Sequence, residues 1–127
     1  MGLFALVVDD SMLIRHTVCR FLEERGFTVT AVSNGQEAIE EVEHLRPSLI
    51  VTDIKMPKVD GIQLISALKG NPETAKIPIV IVAGRQSGFE HTEKRADFVI
   101  FKDIDVESQL LKALTSIFGT ATAAGKK

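Results

Sequence analysis

Ser48-Leu-Ile-Val-Thr-Asp53, continuing into Ile54-Lys-Met-Pro-Lys-Val-Asp-Gly61, is the stretch that decides the fold. Leu49–Thr52 is a short apolar run rich in β-branched side chains, which reads as a buried strand. It ends on a carboxylate. Met56-Pro57 then restricts the backbone and fixes a turn, and Gly61 is expected to allow a positive φ before the next helix. Two other apolar runs end in charge the same way. Leu3-Phe-Ala-Leu-Val-Val8 runs into Asp9-Asp10, and Phe98-Val-Ile-Phe101 runs into Lys102. Open α/β sheets bind ligands beyond the carboxyl ends of their strands. Three carboxylates and one ammonium at such ends outline a site for a divalent cation and a phosphoryl group.

Outward from this stretch, strands and helices alternate. The expected strands are Leu3–Val8, Phe27–Val32, Leu49–Thr52, Ile79–Ala83 and Phe98–Phe101. A helix from about Met12 to Arg25 puts Ile14, Val18, Phe21 and Leu22 on one face and stops at Gly26. Asn34-Gly35 makes a turn into a helix over Gln36–Leu45, with Ala38, Ile39, Val42 and Leu45 inward and Pro47 blocking continuation. A third helix covers about Ile62–Lys69. The last runs from about Val106 to Phe118, with Asp105 as N-cap and Gly119 after it. The core strands are nearly continuous Val, Ile and Leu, as in parallel strands covered on both faces. Alternating βα units then give an α/β doubly wound parallel sheet of five strands, with helices on both faces. Between the fourth and fifth strands, Gly84–Arg95 has Phe89 as its one large apolar residue, so the fourth helix is expected to be short or irregular. The domain is expected over residues 3–118, with 119–127 a flexible tail.

The bulk numbers agree with one domain: 127 residues, 45% hydrophobic and 25% charged. A formal net charge of −2 gives no reason to expect nucleic-acid or anionic-membrane binding. No apolar stretch nears the roughly 20 residues that span a bilayer, and the N-terminus has no secretory pattern. A single cysteine, Cys19, excludes an internal disulfide and fits a cytoplasmic location.

These motifs, in this order, resemble a response-regulator receiver domain, the CheY-like phosphoacceptor module of two-component signalling. Asp9-Asp10-Ser11 matches the acidic pair after the first strand. Asp53 with Met56-Pro57 and Asp60-Gly61 matches the D-x-x-M-P-x-x-D-G loop, Ile77–Val82 the fourth strand, and Lys102 the lysine ending the fifth. The resemblance spans Leu3 to Phe118 and implies a flavodoxin-like sheet of order 2-1-3-4-5. It implies that Asp53 takes a phosphoryl group from a sensor histidine kinase or phosphotransfer protein. Mg2+ (or Mn2+) would be held by Asp10 and Asp53 directly, by Asp9 through water and by the backbone carbonyl of Lys55. Hard cations take such oxygens and share them with phosphoryl oxygens. Lys102 would pair with Asp53 and then with the phosphoryl group, because transfer of this kind is mostly positioning and charge neutralisation. An empty cluster of carboxylates should be partly destabilising.

The chain departs from the family on the side that reports phosphorylation. The Thr or Ser that usually ends the fourth strand is Ala83, followed by Gly84. The usual aromatic switch residue is Val99, and the usual proline after the lysine is Asp103, so no cis peptide is expected there. The connection from Ala83 to Lys102 is also shorter than usual. The response is therefore expected to use another route, with Gly84, Ser87 or Arg85 supplying the missing donor. Lys55 and Arg85 hold the two positions that in the family flank the phosphoryl group, so the resemblance implies that they modulate its hydrolysis.

Each charge has a plainer reading. Asp9-Asp10 could cap the first helix, and Lys102 could be a solvated charge. Joint placement after three strand ends favours a site. His16, His44 and His91 lack metal-ligand spacing and read as surface residues. The expected function is a single-domain response regulator, monomer or weak homodimer, acting on a downstream protein and not a turnover enzyme. The rival is a pseudo-receiver that binds proteins without phosphorylation. A phosphohydrolase would put a D-x-D motif on its first strand, and nucleotide-binding glycine motifs are missing.

Overall fold

In the computed structural model, the described residues are 3–54, 60–83, 96–102 and 105–119. In chain order they form β1 (Leu3–Val8), α1 (Met12–Glu23), β2 (Phe27–Val32), α2 (Gly35–His44), β3 (Leu49–Asp53), α3 (Gly61–Lys69), β4 (Ile79–Ala83), β5 (Phe98–Phe101) and α4 (Val106–Phe118). The strands pair in parallel in the order β2-β1-β3-β4-β5. Order and direction agree with the sequence expectation.

Alternation along the strands builds two cores. Ala5, Val7, Val51, Val80, Val82 and Ile100 point to one face and meet α1 and α4 through Val18, Phe21, Leu22, Leu110 and Leu114. Their neighbours Leu6, Val8, Ile50, Ile79 and Ile81 point to the other and meet α2 and α3 through Ala38, Val42, Leu64, Ile65 and Leu68. Each fully buried Leu, Ile or Val stabilises the fold by about 1.5–3 kcal/mol. β3 and β4 are buried throughout, whereas the edge strand β2 alternates with solvent.

Local signals set the helix ends. Ser11 caps α1, accepting the Ile14 N–H at 3.3 Å. Asn34 caps α2 through the Glu37 N–H at 2.9 Å, so that helix begins at Gly35, one residue earlier than expected. Asp60 and Gln63 bond reciprocally, each at 2.9 Å, as a capping box that starts α3. Asp105 caps α4 as expected. α1 ends at Glu23, and the chain turns through Gly26 at φ +92°. Among the described residues, no helix is long and apolar enough to cross a membrane. The expected irregular segment 84–95, the peptide after Lys102 and the tail beyond 119 lie outside the described residues.

Candidate functional site

β1, β3 and β5 end on the same edge of the sheet, because parallel register sets Val8 beside Thr52, Asp53 beside Val82 and Ala83 beside Phe101. This brings together charges far apart in sequence. Asp53 closes β3 and is 5% exposed. Its Oδ1 accepts the Ile54 N–H at 2.7 Å, and its Oδ2 accepts Lys102 Nζ at 2.9 Å. Asp9 follows β1 and is 2% exposed. Its Oδ1 accepts the Ser11 N–H at 2.8 Å and lies 3.6 Å from Lys102 Nζ. Asp10 is exposed, at the rim. Carboxylate oxygens of Asp9, Asp10 and Asp53 all lie within 4.8 Å of one another.

The electrostatics follow from burial and crowding. Burial pushes the Asp9 carboxyl from 3.8 up to about 6. The Ser11 amide pulls it down, Asp53 pushes it up, Lys102 pulls it down and Asp10 pushes it up. Burial pulls the Lys102 ammonium down, but its bond to Asp53 and the charges of Asp9 and Asp53 together outweigh that and leave it raised. Among the described residues, Asp9 Oδ2 is buried with no hydrogen-bond partner. Such an oxygen is costly unless a cation or proton meets it. All-oxygen donors suit a hard divalent cation.

Backbone contacts hold the cluster in place. The Arg15 guanidinium donates to the Asp9 carbonyl at 2.8 Å, and the Lys102 amide donates to Ala83 O at 3.0 Å. The Gly61 N–H donates to Ile54 O at 2.8 Å. Gly61 does not take the positive φ expected of it; among the described residues only Gly26 and Gly119 do. Its role is close approach: a Cβ there would run into the Asp53 carbonyl oxygen and stand 2.9 Å from Ile54 Cα.

The four charges singled out in the sequence thus converge. Neither aspartate of the pair caps α1; Ser11 does, and the Ser11 amide is what holds Asp9. Ala83 is buried at the end of β4 with its methyl in the α2/α3 core. Val99 is half-buried against the same core. Thr52 offers the nearest hydroxyl in sequence to Asp53, but it donates to the Asp53 carbonyl at 2.9 Å. Lys55, Gly84, Ser87 and Arg85 lie outside the described residues, as does His91. His16 and His44 are exposed. Cys19 is half-buried against the α1/α4 core, its thiol pushed up by burial and by Glu23. The sequence reading passed over Arg15 and Gln109, both of which bond backbone at the site's edge.

Residues 5–115 match the family model described as the response regulator receiver domain. Protein PilG of Pseudomonas aeruginosa is 30% identical over 94 residues, covering 74% of this chain and 70% of that protein. The gliding motility regulatory protein of Myxococcus xanthus is 38% identical over 82 residues, 65% of this chain but 11% of that protein. The match to response regulator Rre1 of Synechocystis likewise spans 35% of its length. Among solved structures, the chemotaxis response regulator CheY4 of Vibrio cholerae superposes with a TM-score of 0.83 at 26% identity, over 93% of this chain and all (100%) of that one. The receiver domain of sensor histidine kinase PA1611 from Pseudomonas aeruginosa, described with a magnesium ion in its active site cleft, shares the fold at a TM-score of 0.82 and 20% identity, covering 94% of this chain and 99% of that one. The match runs from the first strand to the last helix and lies over the same sheet order, so the chain belongs to the receiver domain family of two-component response regulators.

Proposed function

We propose that this domain accepts a phosphoryl group on Asp53 from a phosphohistidine of a sensor kinase or phosphotransfer protein. The carrying observation is the bond from Lys102 Nζ to Asp53 Oδ2 at 2.9 Å, beside the three-aspartate cluster. Lys102 holds the acceptor carboxylate in place and stands ready to neutralise an incoming phosphoryl oxygen. In the transfer, an Asp53 oxygen forms the new O–P bond as the N–P bond breaks, and the electron pair returns to the imidazole nitrogen. The unpartnered Asp9 Oδ2 and the all-oxygen donor set fit Mg2+. Asp10 and Asp53 would be direct ligands, Asp9 a ligand through water and the Lys55 carbonyl a further one. Bound there, Mg2+ would offset the repulsion between carboxylate and phosphate. Met12 and Leu13, both 73% exposed, follow Asp10 by two and three residues and offer an apolar shoulder to a protein donor. The domain would turn over no substrate of its own and would signal in the cytoplasm through a protein partner.

The response would run without a hydroxyl at position 83. The buried Ala83 favours a second reading, a module that binds proteins without being phosphorylated. One experiment separates the two. Acetyl phosphate with Mg2+ should add the mass of one phosphoryl group to the wild type and nothing to Asp53→Ala. An unmodified wild type, or a modified Asp53→Ala, would overturn the acceptor reading.

A further inference from the structure

Phe101 ends β5, which among the described residues is an edge strand paired with β4 alone. The next amide, of Lys102, bonds Ala83 O on the β4 side at 3.0 Å. Successive residues of a strand turn their N–H and C=O to opposite sides. Phe101 therefore directs both groups away from β4, to the side where none of the described strands follows. Gln109 of α4 takes both: its Oε1 accepts the Phe101 N–H at 3.0 Å and its Nε2 donates to Phe101 O at 2.8 Å. One side-chain amide thus stands in for a residue of a further strand. Gln109 is itself held, its N–H and its Nε2 each donating to Asp105 O at 3.3 Å. Asp105 is fixed in turn as the cap of α4, through the Ser108 N–H at 3.2 Å and the Ser108 hydroxyl at 2.9 Å.

We propose that Gln109 is a positioning residue for Lys102: by gripping both backbone groups of Phe101, it fixes where the Lys102 ammonium stands against Asp53. The inference rests on the phosphoacceptor reading of Asp53. The lysine reaches Asp53 along a flexible four-carbon stem. A small rotation at Phe101 is magnified at Nζ, where the bonding distance to Asp53 is 2.9 Å and the approach to Asp9 is 3.6 Å. Satisfying the edge alone would not require this residue, because Phe101 is only half-buried and water can reach it. The aspartates that would hold the metal follow β1 or close β3, so loosening β5 should separate the lysine's contribution from the metal's.

The test uses Gln109→Met, which keeps length and helix propensity but removes the amide, with Lys112→Gln as an exposed control on the same helix. Asp53 phosphorylation by acetyl phosphate at saturating Mg2+ should slow about tenfold in Gln109→Met, from misplacement of one charge. The Mg2+ dissociation constant should stay within about twofold by calorimetry, and the Phe101 amide should exchange faster with solvent. A phosphorylation rate within about twofold of wild type, with Phe101 exchanging faster, would reduce Gln109 to an edge cover and overturn the proposal. Parallel losses of Mg2+ affinity, rate and thermal stability would overturn it too, as general loosening. If the wild type takes no phosphoryl group, the acceptor reading fails separately. The Lys102 ammonium resonance then decides: a shift in Gln109→Met sustains the positioning role, and an unmoved signal refutes it.

Discussion

Replacing Asp9 with asparagine should stabilise the metal-free domain, and the gain should depend on pH. Asp9 is 2% exposed, one of its oxygens has no partner among the described residues, and its carboxyl is pushed from 3.8 to about 6, first by burial and then by Asp53 and Asp10 against the pull of Ser11 and Lys102. In the unfolded chain the group titrates near 3.8 and in the folded chain near 6. Between those values the folded state holds more protons, so stability falls as pH rises through the window. Below it Asp9 is neutral in both states and the penalty is absent; above about 6 the penalty is complete. At about 1.4 kcal/mol per pH unit, the full penalty is on the order of 3 kcal/mol. Asparagine keeps the oxygen that accepts the Ser11 N–H and removes the charge. Asp9→Asn in EDTA should therefore gain about 2–3 kcal/mol over wild type at pH 8 and almost nothing at pH 4. In a domain of this size that is a rise of about 10 °C in Tm at the higher pH. Urea unfolding across pH 4–8 measures it, with Asp10→Asn, an exposed neighbour, as the control. Parallel curves for Asp9→Asn and wild type would refute the claim that Asp9 is a strained internal charge. Saturating Mg2+ should shrink the difference by stabilising wild type.

Gly61→Ala should destabilise by about 2–3 kcal/mol in thermal unfolding, because overpacking against the Asp53 carbonyl and Ile54 Cα must push α3 away and weaken the Gly61–Ile54 bond. Lys102→Met should slow phosphorylation of Asp53 while tightening Mg2+ about tenfold by calorimetry, since the ammonium that now shares Asp53 and Asp9 with any cation is gone. Weaker Mg2+ binding in Lys102→Met would show that the lysine does not compete for those carboxylates.

The sheet and its charged edge were legible because both rest on local pattern. Runs such as Leu3–Val8 and Ile79–Ala83 are apolar at every position, which only a strand covered on both faces requires, and each boundary was found to the residue. Asp53, Asp9, Asp10 and Lys102 could be grouped because parallel strands must end on one side. Gly61 was misjudged because positive φ and close approach both select glycine, and only the Asp53 carbonyl above it tells them apart. Gln109 was invisible for another reason. It lies next to Leu110 in the apolar face of α4, and nothing local says that its amide meets the end of β5.

The adjacent aspartates divide the charge of the site between its inside and its rim. Within a strand, consecutive residues face opposite ways, and the burial of the two aspartates just past β1 alternates in the same sense. Asp9 continues the line of Ala5 and Val7 and is buried, whereas Asp10 emerges to the rim. A D-x-D spacing would have put both on one side, either doubling the internal charge or leaving none inside. With one carboxylate inside and one outside, the cluster keeps a single strained group that a cation can relieve and a single exposed group that can receive it. The lysine opposite must then balance Asp53 without filling the gap at Asp9 Oδ2. Its distances of 2.9 Å to Asp53 and 3.6 Å to Asp9 do that: the ammonium leans on the acceptor and leaves the other carboxylate half answered. Moving Nζ toward Asp9 would close the space for a metal, and moving it outward would leave Asp53 uncompensated. The tolerance on the lysine's position is therefore narrow on both sides, which is why the backbone of its preceding residue is worth holding at both its N–H and its C=O.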